Sequence, residues 1–325
     1  MQKKKKRANK IMYILPEDVK RRLLRRYRRR SREIVVDERF RGWAWEIPPL
    51  DPPYDYQLPL SVIASRYCES MRDIYLSYVE KVKRKTTAKM IAGGLYHWTV
   101  STLIEHAKKA LYSKGFTSGN ELGIHLTQLR DQVIQSKLDS TNPPQIRDRG
   151  GAWNPRLIQK NMNWLWDFEI NQIVAAVETV KSTQPYIGLD ALVSSAIPVV
   201  VEQRLDGRNL GLSGHLSADA FGVEGVVLDI KTGEKRYFHR IAVTGYALVI
   251  ESIHEYPVDI GCIVYCWFGD KLPPRIKYDV YTIDEPLRQE FIELRDQAMK
   301  IIEDYRDPGL PRKCYEDCPF WDDCH

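Results

Sequence analysis

Apolar residues recur along this chain with two different periods. Between residues 61 and 181 they fall three or four apart, which gives a helix one apolar face; from Ser195 the spacing shortens to two, the period of strands. The helical part predicts a helix capped by Ser61, with Val62, Ile63, Tyr67, Met71, Ile74, Leu76 and Tyr78 on its apolar side and Cys68 in its middle. Further helices are expected over Ala88–Tyr112, Asn120–Leu138 and Pro155–Lys181, with a polar Pro/Gly loop, Ser140–Trp153, between the last two. The strand part predicts a meander of Ile197–Leu205, Asn209–Asp219 and Gly225–Lys231. A helix over Tyr237–Ile253, strands Ile260–Phe268 and Ile276–Ile283, and an amphipathic helix Glu285–Arg306 follow. Ahead of all these, Pro16 with Glu17 and Asp18 opens a helix running to about Arg32, residues 1–10 are expected to be disordered, and the Pro-rich stretch 47–59 to be extended. The order of elements is that of an α/β protein.

Within the strand part, residues 214–231 carry the most chemistry. They read as a strand ending in Asp219, a Gly-bearing turn, and a second strand, Val226-Val227-Leu228-Asp229-Ile230-Lys231. Alternate side chains on a strand point to opposite faces, so Asp229 and Lys231 share a face while Ile230 enters a core. A carboxylate beside an ammonium, with a second carboxylate arriving from the neighbouring strand, suits metal-assisted hydrolysis. A surface salt bridge on a hairpin is the plainer alternative. His97, among Leu95, Trp98 and Val100 and just after Gly93 and Gly94, is either a satisfied core histidine or a ligand.

Charge and cysteines change the picture further. The chain of 325 residues carries a net charge of +6, yet residues 1–41 hold 17 Lys/Arg against 5 Asp/Glu, so a segment of +12 sits on a body of −6. Such a segment suits a polyanion, most economically nucleic acid; a solubilising tail or a thermophile's excess of charge is the alternative. No apolar run reaches 18 residues and the basic N-terminus lacks an apolar h-region, so neither a membrane span nor a secretory signal is expected, and a cytoplasmic location is. Six cysteines in a large cytoplasmic chain argue against a disulfide scaffold. Cys262 and Cys266 lie about 13 Å apart on one strand, too far for a disulfide, and read as core. Cys314, Cys318 and Cys324 crowd the C-terminus and need a fourth ligand. With Cys68 far upstream they suit an iron–sulphur cluster; His325 as a substitute keeps zinc open.

In this order and spacing, Tyr67-Cys68 with Arg72-Asp73-Ile74-Tyr75-Leu76, Gly94-Leu95-Tyr96-His97, Asp219, Asp229-Ile230-Lys231, Tyr246, and Cys314, Cys318 and Cys324 resemble the RecB-like nucleases associated with CRISPR loci, the Cas-four-type exonucleases, especially their archaeal subtype I-A branch. The resemblance covers residues 61–325. It implies a RecB-like, PD-(D/E)xK restriction-endonuclease-like core with a mixed central sheet. The expected divisions are a basic segment and helix (1–46), N-terminal helices (47–100), a helical insertion or lid (101–190), the nuclease core (191–306) and a cysteine segment (307–325). It further implies that His97, Asp219, Asp229 and the main-chain carbonyl of Ile230 bind Mn²⁺ or Mg²⁺, that Lys231 orients water or stabilises charge, and that Tyr246 lies near the substrate phosphate. Cys68, Cys314, Cys318 and Cys324 would hold a [4Fe–4S] cluster. Single-stranded DNA and the CRISPR integrase proteins are the implied partners, oligomers are possible, and the implied task is trimming DNA ends before spacer integration. One departure stands out: the family's Gln, one turn before the Tyr, is Ala242 here. His239 or Arg240 would then supply the missing contact. A catalytically silent Fe–S binding or scaffolding subunit is the alternative function.

Overall fold

A computed structural model describes residues 21–116, 118–145, 153–222, 225–268, 274–316 and 318–325. The expected disorder of residues 1–10 and the helix start at Pro16 lie outside them, as does part of the loop before Trp153. The helices are α1 (Arg28–Glu33, continuing a π-helical turn, Leu23–Tyr27), α2 (Leu60–Ala64), α3 (Arg72–Tyr78), α4 (Ala88–Lys114), α5 (Gly119–Asp139), α6 (Pro155–Thr183), α7 (Leu189–Ala196), α8 (His239–His254), α9 (Glu285–Glu303) and α10 (Trp321–Cys324). The strands are β1 (Val199–Leu205), β2 (Leu216–Gly222), β3 (Val226–Lys231), β4 (Ile260–Trp267) and β5 (Arg275–Thr282).

The five strands form one mixed sheet in sequence order. β1, β2 and β3 run antiparallel as a meander, β3 and β4 are parallel with α8 as their crossover, and β5 returns antiparallel to β4. Each face of the sheet carries its own apolar layer. Val226, Leu228, Ile230, Ile260, Cys262, Val264 and Cys266 pack under α4, α5, α6 and α7. Val227, Ile263 and Tyr265 pack under α8, α9 and the N-terminal segments. Both faces being covered, β3 and β4 read as near-continuous apolar runs, as buried parallel strands do. Cys262 and Cys266 are fully buried core residues, with burial pushing the Cys266 thiol up to about 12.

Local chemistry fixes the helix starts. Thr87, Ser118, Asn154 and Asp284 each accept a backbone N–H at the first turn of α4, α5, α6 and α9. α4 stops where Gly115 takes φ 59, the left-handed conformation glycine adopts at no steric cost. α4 runs unbroken across residue 100, so the N-terminal helices and the helical insertion share a helix.

Three expectations are corrected. The helix predicted from Ser61 to Tyr78 is two: α2 ends at Ala64, and α3 starts after Met71, which sits at φ 57. Pro59, without a side-chain cap, precedes α2 in place of Ser61. Cys68 therefore lies in the turn between helices, and Ser70 ties that turn to the C-terminal segment by donating to the Gly309 carbonyl (2.8 Å). The strand predicted over Asn209–Asp219 begins only at Leu216 and continues to Gly222, because residues 208–210 are wound into a 3-10 turn. Asp219 is thus mid-strand. Finally, the stretch 47–59, expected to be extended, opens on a turn in which the Leu50 and Asp51 N–H groups donate to the Ile47 carbonyl (3.0 and 3.1 Å), and α7 occupies residues that carried no prediction.

Candidate active site

The site forms where β2 parts from β3. Their pairing runs from Gly222↔Val226 to Ala220↔Leu228 and stops. One step further, the same register would place Asp219 opposite Asp229. The Ile230 N–H, which strand pairing would have used, donates instead to Asp219 Oδ2 (3.2 Å). From the other side of the opening α4 presents His97, whose Nδ1 lies 3.0 Å from the same carboxylate oxygen. On β3, Lys231 Nζ donates to Asp229 Oδ1 (2.9 Å), while Ile230 between them is fully buried. Gly93, one turn before His97, lies beside Thr232, just after Lys231, with room for a side-chain carbon at ordinary contact distance.

Asp229 is 4% exposed and its Oδ2 is buried with no donor. Burial raises its carboxyl to about 7, with Asp219 adding to the rise and Lys231 opposing it. Burial also opposes charge on Asp219, but His97, the facing Asp229 and Lys231 outweigh it and hold that carboxyl below the usual range. The two neighbouring carboxyls are thereby pushed apart, as environments of unequal polarity do. For His97, burial disfavours the cation, yet Asp219 prevails and raises its pKa. Lys231 behaves alike: burial lowers it, and Asp229 and Asp219 more than compensate.

Tyr246, from α8, donates to the Ser217 carbonyl on β2 (2.7 Å), beside the carboxylates. Burial raises its hydroxyl pKa, and Asp219, Asp229 and Glu202 raise it further. Ala242, one turn earlier, packs half-buried in the apolar layer. Of its two suggested replacements, Arg240 is taken up by Asp279 (2.9 and 3.2 Å) and by the Tyr281 ring. His239 is buried against the Tyr265 hydroxyl (3.0 Å), and its pKa is lowered to about 3, first by burial and then by Lys231 and Arg236. Glu202 and Ser217 escaped the sequence reading; neither the backbone conformation of one nor the hydroxyl contact of the other leaves a trace in periodicity.

The donor types suit a hard divalent cation, two carboxylates and an imidazole with a main-chain carbonyl between. The orphaned Asp229 Oδ2 is the atom such a cation would satisfy. Among the described residues, however, no three His, Cys, Asp or Glu side chains stand close enough together to hold an ion as placed.

The second cluster is of thiols. Cys68, in the α2–α3 turn, raises the pKa of Cys314, Cys318 and Cys324, in each case after burial, and Cys318 reaches about 11. Cys68 is therefore within electrostatic reach of the three C-terminal thiols, all four being half-buried. Arg72 braces the segment through a bidentate pair with Asp307 (2.9–3.0 Å). Thiolates are the donor type that holds iron–sulphur clusters, but among the described residues no three of these thiols stand close enough together to hold an ion as placed. His325 stacks on Trp321 (4.2 Å between centroids) and meets its carbonyl through Nδ1. Tyr67 links the two centres: its ring lies edge-on to Phe238 and to Tyr315, and its hydroxyl is in electrostatic reach of Lys231.

Fold and site together define a mixed α/β protein with a carboxylate–lysine centre at the splayed end of its sheet. A family model described as CRISPR-associated exonuclease Csa1 matches residues 12–325, and the chain belongs to that family. It is similar to a curated CRISPR-associated exonuclease Csa1 of Saccharolobus solfataricus, with 32% identity covering 89% of this chain and 92% of the relative. It is also similar to the protein of that name from Thermoproteus tenax, with 26% identity covering 93% and 96%. No solved structure matches. Among the described residues, no helix is long and apolar enough to cross a membrane.

Proposed function

We propose that this chain is a metal-dependent deoxyribonuclease with a RecB-like, PD-(D/E)xK core, acting as an exonuclease on single-stranded DNA and trimming ends before spacer integration. The relatives' printed names supply exonuclease action and the CRISPR setting. The observation that carries the chemistry is Asp229: a carboxylate 4% exposed, paired with Lys231 through one oxygen and unpartnered at the other, beside Asp219. A buried oxygen without a donor costs folding energy unless something fills the place.

His97, Asp219, Asp229 and the Ile230 carbonyl would hold Mn²⁺ or Mg²⁺. Such an ion supplies Lewis-acid polarisation of the scissile phosphate and a lowered pKa for water. The chain's own residues do the rest. Asp219 fixes the His97 ring, and its bond to the Ile230 N–H holds the opening of β2 from β3. Lys231, kept charged by the two carboxylates, orients the attacking water or stabilises charge building on the phosphate. Tyr246, kept protonated, can donate to a phosphate oxygen if it leaves the Ser217 carbonyl. The four cysteines would hold a [4Fe–4S] cluster with a structural role. The exposed Arg25, Arg26, Arg29, Arg30 and Arg32, on a helix docked through Tyr27, would meet DNA phosphates.

Incubating end-labelled single-stranded DNA with Mn²⁺ tests the reading. Loss of the label as mononucleotides, abolished by Asp229→Ala and by Lys231→Ala, is expected. DNA binding without cleavage by the wild-type chain would instead mark a silent binding subunit.

A further inference from the structure

Aromatic rings run in contact from the sheet to the cysteine segment. Phe238, just before α8, is buried, and two tyrosines stand edge-on to its ring, Tyr67 at 5.0 Å and Tyr237 at 5.9 Å between centroids. Both tyrosines face water, Tyr67 being 48% and Tyr237 62% exposed. Tyr67 continues edge-on to Tyr315 (6.1 Å). Two cations take the Tyr315 ring: Arg236 Cζ lies 5.4 Å and Lys313 Nζ 5.8 Å from its centroid, and Arg236 Nη1 donates to its hydroxyl (3.4 Å). Arg236 also pairs with Glu234 (2.7 Å), a carboxylate 80% exposed, and a pair so open to water is weak. The other end of the run is Lys231. Its register partner on β4 is Tyr265, whose hydroxyl meets His239 Nδ1 (3.0 Å), and the His239 ring lies edge-on to Phe238 (5.0 Å). Adjacent exposed rings rimmed by charge mark binding surfaces, where a single exposed ring does not.

We propose that Tyr67 and Tyr237 are base-stacking residues for single-stranded DNA, gripping the strand beside the phosphate that Lys231 serves while Arg236 and Lys313 meet its backbone. The proposal rests on the single-stranded DNA reading given above and names the residues that would hold the strand. Every base has a π-face, so exposed rings accept any sequence, and nearby cations neutralise the phosphates. A duplex keeps its bases stacked on one another and gains nothing from the rings, so they select single strands. Charge favours DNA over an apolar protein surface as the occupant. The line of contacts has Lys231 at one end and Arg236 and Lys313 at the other, with the two exposed rings between them or branching from Phe238. Tyr315, already covered by its cations, is a positioning residue that holds Arg236 and Lys313 beside Tyr67.

Fluorescence anisotropy of a labelled oligothymidine with the full chain, in the absence of divalent metal so that nothing is cut, tests this; a labelled hairpin duplex is the comparison. Tyr237→Ala and Tyr67→Ala should each weaken single-strand binding about 10-fold and leave duplex binding unchanged. Tyr237→Trp, which keeps a stacking face, should hold wild-type affinity. Arg236→Ala should weaken single-strand binding and lower the slope of log affinity against log salt by about 0.7, the loss of one phosphate contact. Tyr237 is largely exposed, so its variants fold whatever becomes of Tyr67→Ala beside Cys68. Wild-type affinity in Tyr237→Ala overturns the proposal and leaves the rings to a protein partner. Equal losses on single strand and duplex also overturn it, since stacking is then not what was removed. A wild-type chain that binds no single strand overturns this proposal together with the substrate it rests on; single-strand binding and cutting by wild type and Tyr237→Ala alike removes this proposal alone.

Discussion

Two buried clusters of charge flank helix α8, and they are built in opposite ways. Around Glu251, near the helix end, every carboxylate oxygen carries at least two donors. Arg41 and Arg288 reach Oε1 together with the Val258 N–H, and the Gly42 N–H and Arg288 reach Oε2, all at 2.7–3.1 Å. Asp259 balances the second guanidinium. Gly42 lies so close to the Leu248 carbonyl that a side chain there would collide. This cluster is a staple, tying the N-terminal segment to α8 and α9. Around Asp229 the count is one donor for one oxygen and none for the other. Burial costs are similar; both oxygens of Glu251 are offset from within the chain, although Arg288 Nε beside them has no partner among the described residues, whereas one oxygen of Asp229 is not. The difference separates a charge kept for folding from one kept for a ligand.

Deleting each carboxylate should expose that difference. Glu251→Ala leaves Arg288 fully buried with its main anion gone, and breaking a buried pair in this way costs about 3–5 kcal/mol. Denaturant melts should show the loss, and nuclease activity should fall only as far as the folded fraction does. Asp229→Asn should do the reverse. Turnover of labelled DNA should drop at least about 100-fold, while the melting temperature holds or rises because a buried carboxylate with one oxygen lacking a donor has been replaced by a neutral amide. Equal destabilisation by both variants would erase the distinction.

The sequence made one cluster far more legible than the other. Asp229 and Lys231 sit two apart on an apolar strand, so alternation alone placed them on one face and Ile230 in the core. The 1 + 3 division of the thiols pointed to Cys68, since three crowded thiols need a fourth, and the structure brings Cys68 within electrostatic reach of them without closing a metal group among the described residues. Glu251, by contrast, reads as an ordinary polar residue of an amphipathic helix. Its partners Arg41, Asp259 and Arg288 come from separate elements, and no local period connects them. The failures at Ser61–Tyr78 and Asn209–Asp219 have a common cause. In both, apolar residues carry on through a turn, Tyr67 and Met71 in the first and Leu210 and Leu212 in the second, so periodicity could not show the break. Glu202 is the extreme case, since its distinguishing feature is a backbone torsion, φ 49.

The thiol cluster offers a smaller effect that sharpens the comparison. Both apolar layers close over the sheet without the C-terminal segment, so Cys68→Ser should fold. It should lose brown colour and absorbance near 400 nm and melt only a few degrees lower, about 1 kcal/mol. A colourless wild-type preparation containing zinc would replace the cluster by a zinc site, and collapse of the Cys68→Ser variant would make these thiols a staple as strong as Glu251.

His239 provides the finest test, because it borders the Asp229 cluster on the same helix and is satisfied without any ligand. Its ring is bonded to Tyr265 and stays neutral, its pKa lowered to about 3 by burial and by the cations Lys231 and Arg236. In the unfolded chain an imidazole titrates near 6.5. A folded pKa below the unfolded one means that the unfolded chain takes up the proton first. The contribution to stability is therefore whole above pH 6.5 and is lost as pH falls toward 3, with on the order of 1 kcal/mol gone by pH 5. His239→Gln is neutral throughout and should lack this component. Urea midpoints at pH 7 and pH 5 should then fall further in wild type than in the variant. Equal falls would mean that the imidazole is already open to protons in the folded chain, and that the helix face beside Lys231 is wetter than its packing indicates.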